Sequence, residues 1–415
     1  MLIFRKTAKN RTRVLIVALV TFLLNPAAQT SAAREKTPYE WSDVARIVAI
    51  GDIHGAYDTF VSVLVNAGLV NDRLDWVGGT THLVQTGDFV DRGPDSRKVM
   101  DLLMKLEKQA ERAGGRTHVL IGNHEAMNVV GIVDAVSAEE FASYTDAESP
   151  SRRDRVFEFF YKEQKDRAKA ESRVSPSRSE VRTDFESKCP LGYIEHRRAF
   201  SPKGRYGRWI RKKNAAIRIN SIVFSHGDWS QDLAALGIRE FNQLVRDELS
   251  GKAPLTDGVA FRPDSPLQYR RLSKVPLARA EQEASRASVD RILSHLQATR
   301  MVVGHTSTGG FIESRFGGKH ISIDAGMLEL YRGGHQVALE IEGHSLRAIH
   351  PLGKVAIPNG LDETTLFDYL VDVAAVDPEN LDVVGQLAQL CRTQEISRST
   401  ASPCAFSIGR DHPVQ

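Results

Sequence analysis

The sequence predicts an α/β fold in which parallel strands alternate with helices and end in loops that gather polar ligands. Three observations carry this reading. Short apolar runs at Val44–Ile50, His82–Gln85 and His118–Ile121 have the length and composition of buried strands. Each leads within two residues into a glycine-bounded polar cluster: Gly51-Asp52-Ile53-His54-Gly55, Gly87-Asp88-Phe89-Val90-Asp91-Arg92-Gly93 and Gly122-Asn123-His124-Glu125. Helical patterns separate these clusters, and open α/β sheets place their ligands outside the carboxyl ends of parallel strands, where the clusters fall.

Residues 1–33 read as a secretory signal peptide and not as part of the fold. Arg5, Lys6, Lys9, Arg11 and Arg13 form a positive head, Val14–Leu24 an apolar stretch of 11 residues, and Ser31-Ala32-Ala33 a small-residue cleavage site before Arg34. A spanning helix needs roughly 20 apolar residues. The expected product is periplasmic or secreted, with no stable membrane anchor once the leader is removed. Losing the leader takes the formal net charge from +3 to −2, so global charge gives no support to a nucleic-acid partner. Of Cys189, Cys391 and Cys404, the last two could pair across 12 residues and leave Cys189 odd. No CxxC spacing offers a thiolate zinc site.

The main domain is expected over 39–350. Its first part, Tyr39 to Asp134, reads as βαβαβ. The second helix is the clearest element, with Val99, Leu102, Leu103, Leu106, Ala110 and Ala113 on one face, Pro94-Asp95 opening it and Gly114-Gly115 stopping it. From 137 to 205 the pattern loosens. Val156, Phe157, Phe160 and Tyr161 suggest one amphipathic helix, and Lys165–Ser187 is charged and poorly periodic. This stretch reads as a basic, cap-like insertion or flexible flap. Residues 150–213 hold 19 Lys/Arg against 9 Asp/Glu, either as a solvated face or to steer acidic substrates. Strand signals resume at Ala216–Asn220, Ser221–Ser225, Arg300–Val303 and His320–Ile323. A hairpin, Gln336–Glu342 with Leu346–Ile349, is expected to complete this second sheet. Residues 351–415 read as a helical C-terminal extension.

Two divalent metals about 3.5–4 Å apart need one bridging ligand and several neutral ones. Asp52 and His54 lie two residues apart on one side of an extended segment, Asp88 can bridge, and Asn123 offers an amide oxygen. Two later strands end in imidazoles, Val223-Phe224-Ser225-His226-Gly227 and Met301-Val302-Val303-Gly304-His305-Thr306, so six ligands come from five strand ends. Such donors accept manganese, iron or zinc, with manganese expected first and availability deciding.

The order GDIHG, GDFVDRG, GNHE, SHG and GHT resembles the phosphoprotein phosphatase superfamily of calcineurin-like metallophosphoesterases. The text around it is similar to the Shewanella-like phosphatase branch, in residues 82–99, Gly122–Asn128, Phe200–Trp209 and Ile323-Asp-Ala-Gly-Met327. The resemblance covers Ile47 to Gly334 and implies an α/β/β/α sandwich of two mixed sheets, helices outside, with a dinuclear metal site at strand ends. It assigns Asp52, His54 and Asp88 to the first metal, and Asp88, Asn123, His226 and His305 to the second. It makes His124 the proton donor, oriented by Asp91, and places Arg92, Arg270 and Asn123 around the phosphate. Arg270 is the weaker match, because Gln268 stands where the branch usually has tryptophan. Asp228 replaces a glycine after His226, and Asp324 receives no role.

The implied activity is metal-dependent phosphomonoester hydrolysis. A metal-bridging hydroxide attacks phosphorus directly and an imidazole protonates the leaving oxygen. The expected partner is a phosphorylated protein or peptide, or a small phosphoester. Hydrolysis of dinucleoside polyphosphates is the enzymatic alternative, and a non-catalytic binding protein of the same fold the remote one. Oligomeric state is not legible.

Overall fold

The computed structural model describes residues 37–397 apart from Asp257, Glu363 and Thr364. The proposed leader and Cys404 lie outside the described residues. Two six-stranded sheets face each other. The first is built on β2 (Arg46–Ile50), β3 (His82–Gln85) and β4 (Arg116–Val119), which are parallel, with Ile47 opposite His82 and Leu83 opposite Thr117. The second has the order β1-β5-β6-β7-β9-β8, from Glu40–Trp41, Ala216–Ile219, Ile222–Ser225, Arg300–Val303, His320–Ser322 and Glu313–Arg315.

Strand alternation makes the layers. Ile47, Ala49 and Val84 point inward and pack against Ile217, Phe224, Val302 and Ile321 of the other sheet. Val48, Ile50 and Leu83 point outward onto helices α1 (Tyr57–Asn66) and α2 (Ser96–Arg112), through Phe60, Leu64, Val99 and Leu103. On the far side Val223 and Met301 belong to the same core as Phe241 and Val245 of Gln231–Leu249 and Val289 and Ile292 of Arg279–His295. The result is the α/β/β/α sandwich. Helix α2 starts at Ser96 after Asp95 and stops at Arg112, just before Gly114 at φ +82°.

The hairpin corrects the sequence reading. β10 (Ala338–Glu342) and β11 (Ser345–His350) join the first sheet, not the second: Leu339 lies opposite Ala49 and Ile341 opposite Ile47 in an antiparallel pair with β2. Without β10 the free edge of β2 would be an unpaired row of amides and carbonyls. Leu339 and Ile341 also feed the layer between the sheets. The insertion is likewise more regular than its pattern suggests. After α3 (Asn123–Val130) it forms α4 (Ala138–Ser143), α5 (Ser149–Ala170), α6 (Arg178–Lys188) and α7 (Tyr193–Phe200), around a small core of Phe141, Phe157, Phe160, Val181, Phe185 and Tyr193. Helix α6 is opened by a capping box of Ser177 and Glu180 inside the stretch read as aperiodic.

The C-terminal helices, Thr365–Val376 and Leu381–Ser397, send Tyr369, Leu370, Val373 and Val383 into the inter-sheet core. Between them, buried Asn380 donates to the Gly310 carbonyl (2.8 Å) and to Asp377, which also meets His350 at 3.0 Å. Gly310 lies on the loop that follows His305. Asn380→Ala is expected to lower stability by about 1–3 kcal/mol, since the Gly310 carbonyl is left unpaired. A urea melt with an unchanged midpoint would contradict this. No helix of the described residues is long and apolar enough to cross a membrane.

Candidate active site

The loops after β2, β3, β4, β6 and β7 converge at one end of the sandwich. The β2 and β3 loops are tied together by the Asp88 carbonyl, which accepts from the amides of Ile53 and His54, both at 2.9 Å. Gly122 packs so closely on Asp88 that an added Cβ would collide with its carboxylate, which explains the glycine before Asn123. His54 and Asp88 hold left-handed backbone at φ 50° and 55°. Such strain persists where surrounding contacts over-determine it.

Asp88 is the hub. Its Oδ1 accepts from the His124 amide (3.0 Å), and its Oδ2 lies 3.2 Å from His226 Nε2, 3.7 Å from His54 Nε2 and 3.8 Å from His124 Nε2. Ligand atoms of Asp52, Asp88, His226 and His305 fall within 4.8 Å of one another, as do those of His54, Asp88 and His124. Asp88 belongs to both groups. Asp52 approaches either side, with Oδ2 at 3.8 Å from His54 Nε2 and Oδ1 at 3.9 Å from His226 Nδ1. Asn123 Oδ1 lies 3.0 Å from His226 Nε2, so these two donors aim at a common point.

Each imidazole is oriented through its other nitrogen, the arrangement metal-ligating histidines show. His54 Nδ1 contacts the Val90 carbonyl (3.0 Å), His226 Nδ1 the Thr86 carbonyl (3.1 Å) and His305 Nε2 the Gln268 carbonyl (3.0 Å). His54 Nε2 is thereby left buried with no hydrogen-bond partner. Burial pushes His54 down to about 3 and His305 down to about 2, which keeps both rings neutral and able to donate a lone pair. Burial also pushes the Asp52 carboxyl up, helped by the charges of Asp324 and Asp88. Packed carboxylates beside neutral imidazoles and an orphaned ring nitrogen are the donor set that divalent cations complete. The residues therefore fit a dinuclear metal group.

His124 differs from the ligands. Burial lowers its pKa, but Asp88 and the hydrogen bond from Nδ1 to Asp91 Oδ2 (2.7 Å) outweigh it and raise it above the ordinary value. Its Nε2 lies 3.3 Å from the Arg92 guanidinium. The cavity is lined by Asp52, His54, Arg92, Arg270, His305 and Asp324, with Ser307 and residues 326–328. Arg270 lies 3.2 Å from His305 Nδ1, so the weaker sequence match reaches the site.

Asp228 points elsewhere: it accepts from the amide and hydroxyl of Ser273, both at 2.8 Å, and meets His320 Nε2 at 2.7 Å. His82 and His118 pair with each other at 3.1 Å. The lining residues all lie outside the insertion. Several insertion arginines are paired with its own acids, Arg152 with Asp146 and Glu195, Arg178 with Glu158, and Arg182 with Asp154.

Sequence reasoning gave two buried acids no role. Asp324 lines the cavity and is pushed up to about 6 by burial. Glu125, read only as the end of a motif, accepts from the amides of Asp88 (2.8 Å), Phe89 (2.9 Å), Val90 (3.2 Å) and Gly122 (2.8 Å). A Glu at the third position of a helix, reaching back to its first amide, is a legible signal for the last of these bonds. The other three are not local.

Comparison with known proteins agrees with this geometry. Shewanella-like protein phosphatase 2 of Arabidopsis thaliana is 29% identical over 72% of this chain and 76% of its own length. An uncharacterised Schizosaccharomyces pombe protein is 30% identical over 69% of this chain and 74% of its own. The crystal structure of a cold-active protein-tyrosine phosphatase from a Shewanella species shares the fold, with a TM-score of 0.57 at 24% identity over 80% of this chain and 87% of that one. The calcineurin-like phosphoesterase model matches residues 45–309, a span that runs from before Asp52 to beyond His305. With every converging loop inside that span, the chain belongs to the calcineurin-like phosphoesterase family.

Proposed function

We propose that this protein is a dinuclear phosphomonoester hydrolase acting on phosphorylated proteins or peptides. Asp52, His54 and Asp88 would hold the first metal, and Asp88, Asn123, His226 and His305 the second, manganese being the expected ion. Bound divalent ions would supply a water of lowered pKa and positive charge beside the phosphoryl group. The chain's own side chains do the rest. Arg92 and Arg270 flank the cavity and would pair with the phosphoryl oxygens as charge builds there. Asn123 would sit beside them. His124 would hand its Nε2 proton to the departing oxygen, with Asp91 fixing the ring and favouring its charged form.

The observation that carries this reading is His124 itself, a raised-pKa imidazole bonded to Asp91 and presenting Nε2 beside Arg92 and Asp88. A positioned acid matters most when the leaving oxygen is a poor leaving group, as in a phosphomonoester of serine, threonine or tyrosine. The similarity to a named protein phosphatase over most of the chain supports a phosphoprotein substrate. The basic head and apolar stretch of the leader support export to the periplasm or beyond.

The test uses the manganese-loaded chain from Arg34 and three substrates side by side: a phosphotyrosine peptide, a phosphothreonine peptide and a dinucleoside polyphosphate. Peptide turnover is expected, lost in Asp88→Asn. Turnover of the polyphosphate alone would replace this reading with a nucleotide hydrolase. No metal-dependent turnover of any of the three would point to a binding protein.

A further inference from the structure

The insertion contributes nothing to the cavity lining, and several of its arginines are internally paired. What it does contribute is a buried carboxylate. Glu140, on α4, is fully buried, and its Oε2 accepts from the Ser96 hydroxyl at 2.7 Å. The same hydroxyl accepts from the Asp91 amide at 3.0 Å. Asp91 in turn takes the His124 Nδ1 bond on Oδ2 and an Asn128 bond on Oδ1, each at 2.7 Å. A continuous line of short contacts thus runs from the insertion to the His124 imidazole, whose Nε2 lies beside Arg92 and Asp88.

The insertion's entry strengthens this hold. Arg92 donates its amide to the Ala135 carbonyl at 2.9 Å, and Ser137 Oγ lies 3.4 Å from the Gly93 carbonyl. These contacts matter because Asp91 and Arg92 are consecutive left-handed residues, at φ 69° and 67°. Left-handed backbone is disfavoured for a non-glycine residue, so the pair needs outside contacts to stay in place. Their turn sends one side chain to His124 and the other to the cavity. A buried carboxylate is costly where only packing is needed, and an apolar residue would serve there better.

We infer that Glu140 is a positioning residue for the proton-donating side of the site, acting through Ser96 on the Asp91–Arg92 turn, and that holding this turn is a function of the insertion. The inference rests on the reading of His124 as proton donor. It separates from a merely structural role by leaving-group dependence. A p-nitrophenolate leaves with little help from an acid, whereas an alkoxide needs a proton. A displaced donor therefore penalises alkyl phosphates selectively.

The experiment compares kcat and KM for p-nitrophenyl phosphate and for phosphoserine with manganese-loaded wild type, His124→Asn, Glu140→Ala, Glu140→Gln and Ser96→Ala. Metal content and the far-ultraviolet spectrum establish that each variant is folded. Glu140→Ala and Ser96→Ala are expected to lower kcat on phosphoserine about 10- to 100-fold, the scale of a modest misplacement of a catalytic group. On p-nitrophenyl phosphate the same variants should lose less than about threefold. Glu140→Gln keeps an acceptor for the Ser96 hydroxyl and should restore phosphoserine turnover to within about threefold of wild type. Equal losses on both esters, or no loss, in the folded variants would overturn the inference. Should Glu140→Ala not fold, Ser96→Ala decides by the same comparison. Should His124→Asn show no selective loss on phosphoserine, the proton-donor reading fails, and this inference with it. A selective loss in His124→Asn alone leaves that reading standing and overturns only the role of Glu140.

Discussion

Asp88→Asn is expected to empty the site of metal and reduce turnover at least about 1,000-fold, the upper range for removing one preorganised charge-stabilising group. The substitution is nearly isosteric, and the amide can keep Oδ1 as acceptor for the His124 N–H. What changes is Oδ2. That oxygen faces His226, His54 and His124 at 3.2, 3.7 and 3.8 Å. An amide would either turn an N–H₂ group toward lone pairs meant for cations or leave one neutral oxygen for the hub position. It also removes the negative charge shared by both ligand groups. Burial works against ionising Asp88, yet the imidazoles of His226 and His124 hold its carboxyl well below the ordinary range, so the charge is built into the folded state. Metal analysis after dialysis should find about two ions per wild-type chain and fewer than about one in the variant. Two ions and full turnover in Asp88→Asn would exclude Asp88 as the bridge.

The ligands were legible because each follows an apolar run by one to four residues, and strand ends are where such folds collect them. The layer architecture was legible for a related reason: runs such as Ile47–Ile50 are buried on both faces, which only a sheet sandwiched between other layers allows. Partner choice was not. Nothing within Gln336–Glu342 tells that Leu339 will sit beside Ala49, almost the whole domain away in sequence, because a strand's periodicity fixes its face and not its neighbour. The insertion hid its helices differently. Phe157 and Phe160 mark the first of them, but Val181 and Phe185 are too few to mark a face within so many charges, and the four cohere only when α5 and α6 meet. Glu140 escaped notice, and Asp324, though named, received no role, for the same physical reason. A lone acid in sequence reads as surface, and only long-range packing reveals that it is buried against the site.

Glu125→Gln should be the most destabilising conservative change near the site, at about 2–6 kcal/mol, from two buried amides left unpaired at about 1–3 kcal/mol each. Glu125 Oε2 accepts from Asp88 and Gly122, and Oε1 from Phe89 and Val90. Glutamine keeps only one oxygen. Whichever way its amide turns, two main-chain donors face an N–H₂ donor, around a side chain that is fully buried. The penalty falls on one place, the loop whose left-handed Asp88 carries the hub carboxylate. Loss of stability and loss of metal should therefore appear together, and excess manganese should recover part of the melting shift by mass action. Glu125→Asp keeps the charge but is one methylene short, so it should fall between wild type and glutamine. A Glu125→Gln variant with wild-type urea midpoint and metal content would show that the four amides are satisfied without the carboxylate's charge. The prediction is strict because the two oxygens substitute for the solvent these amides have lost: four donors converging on one side chain tolerate an acceptor of the same size only if both of its ends accept.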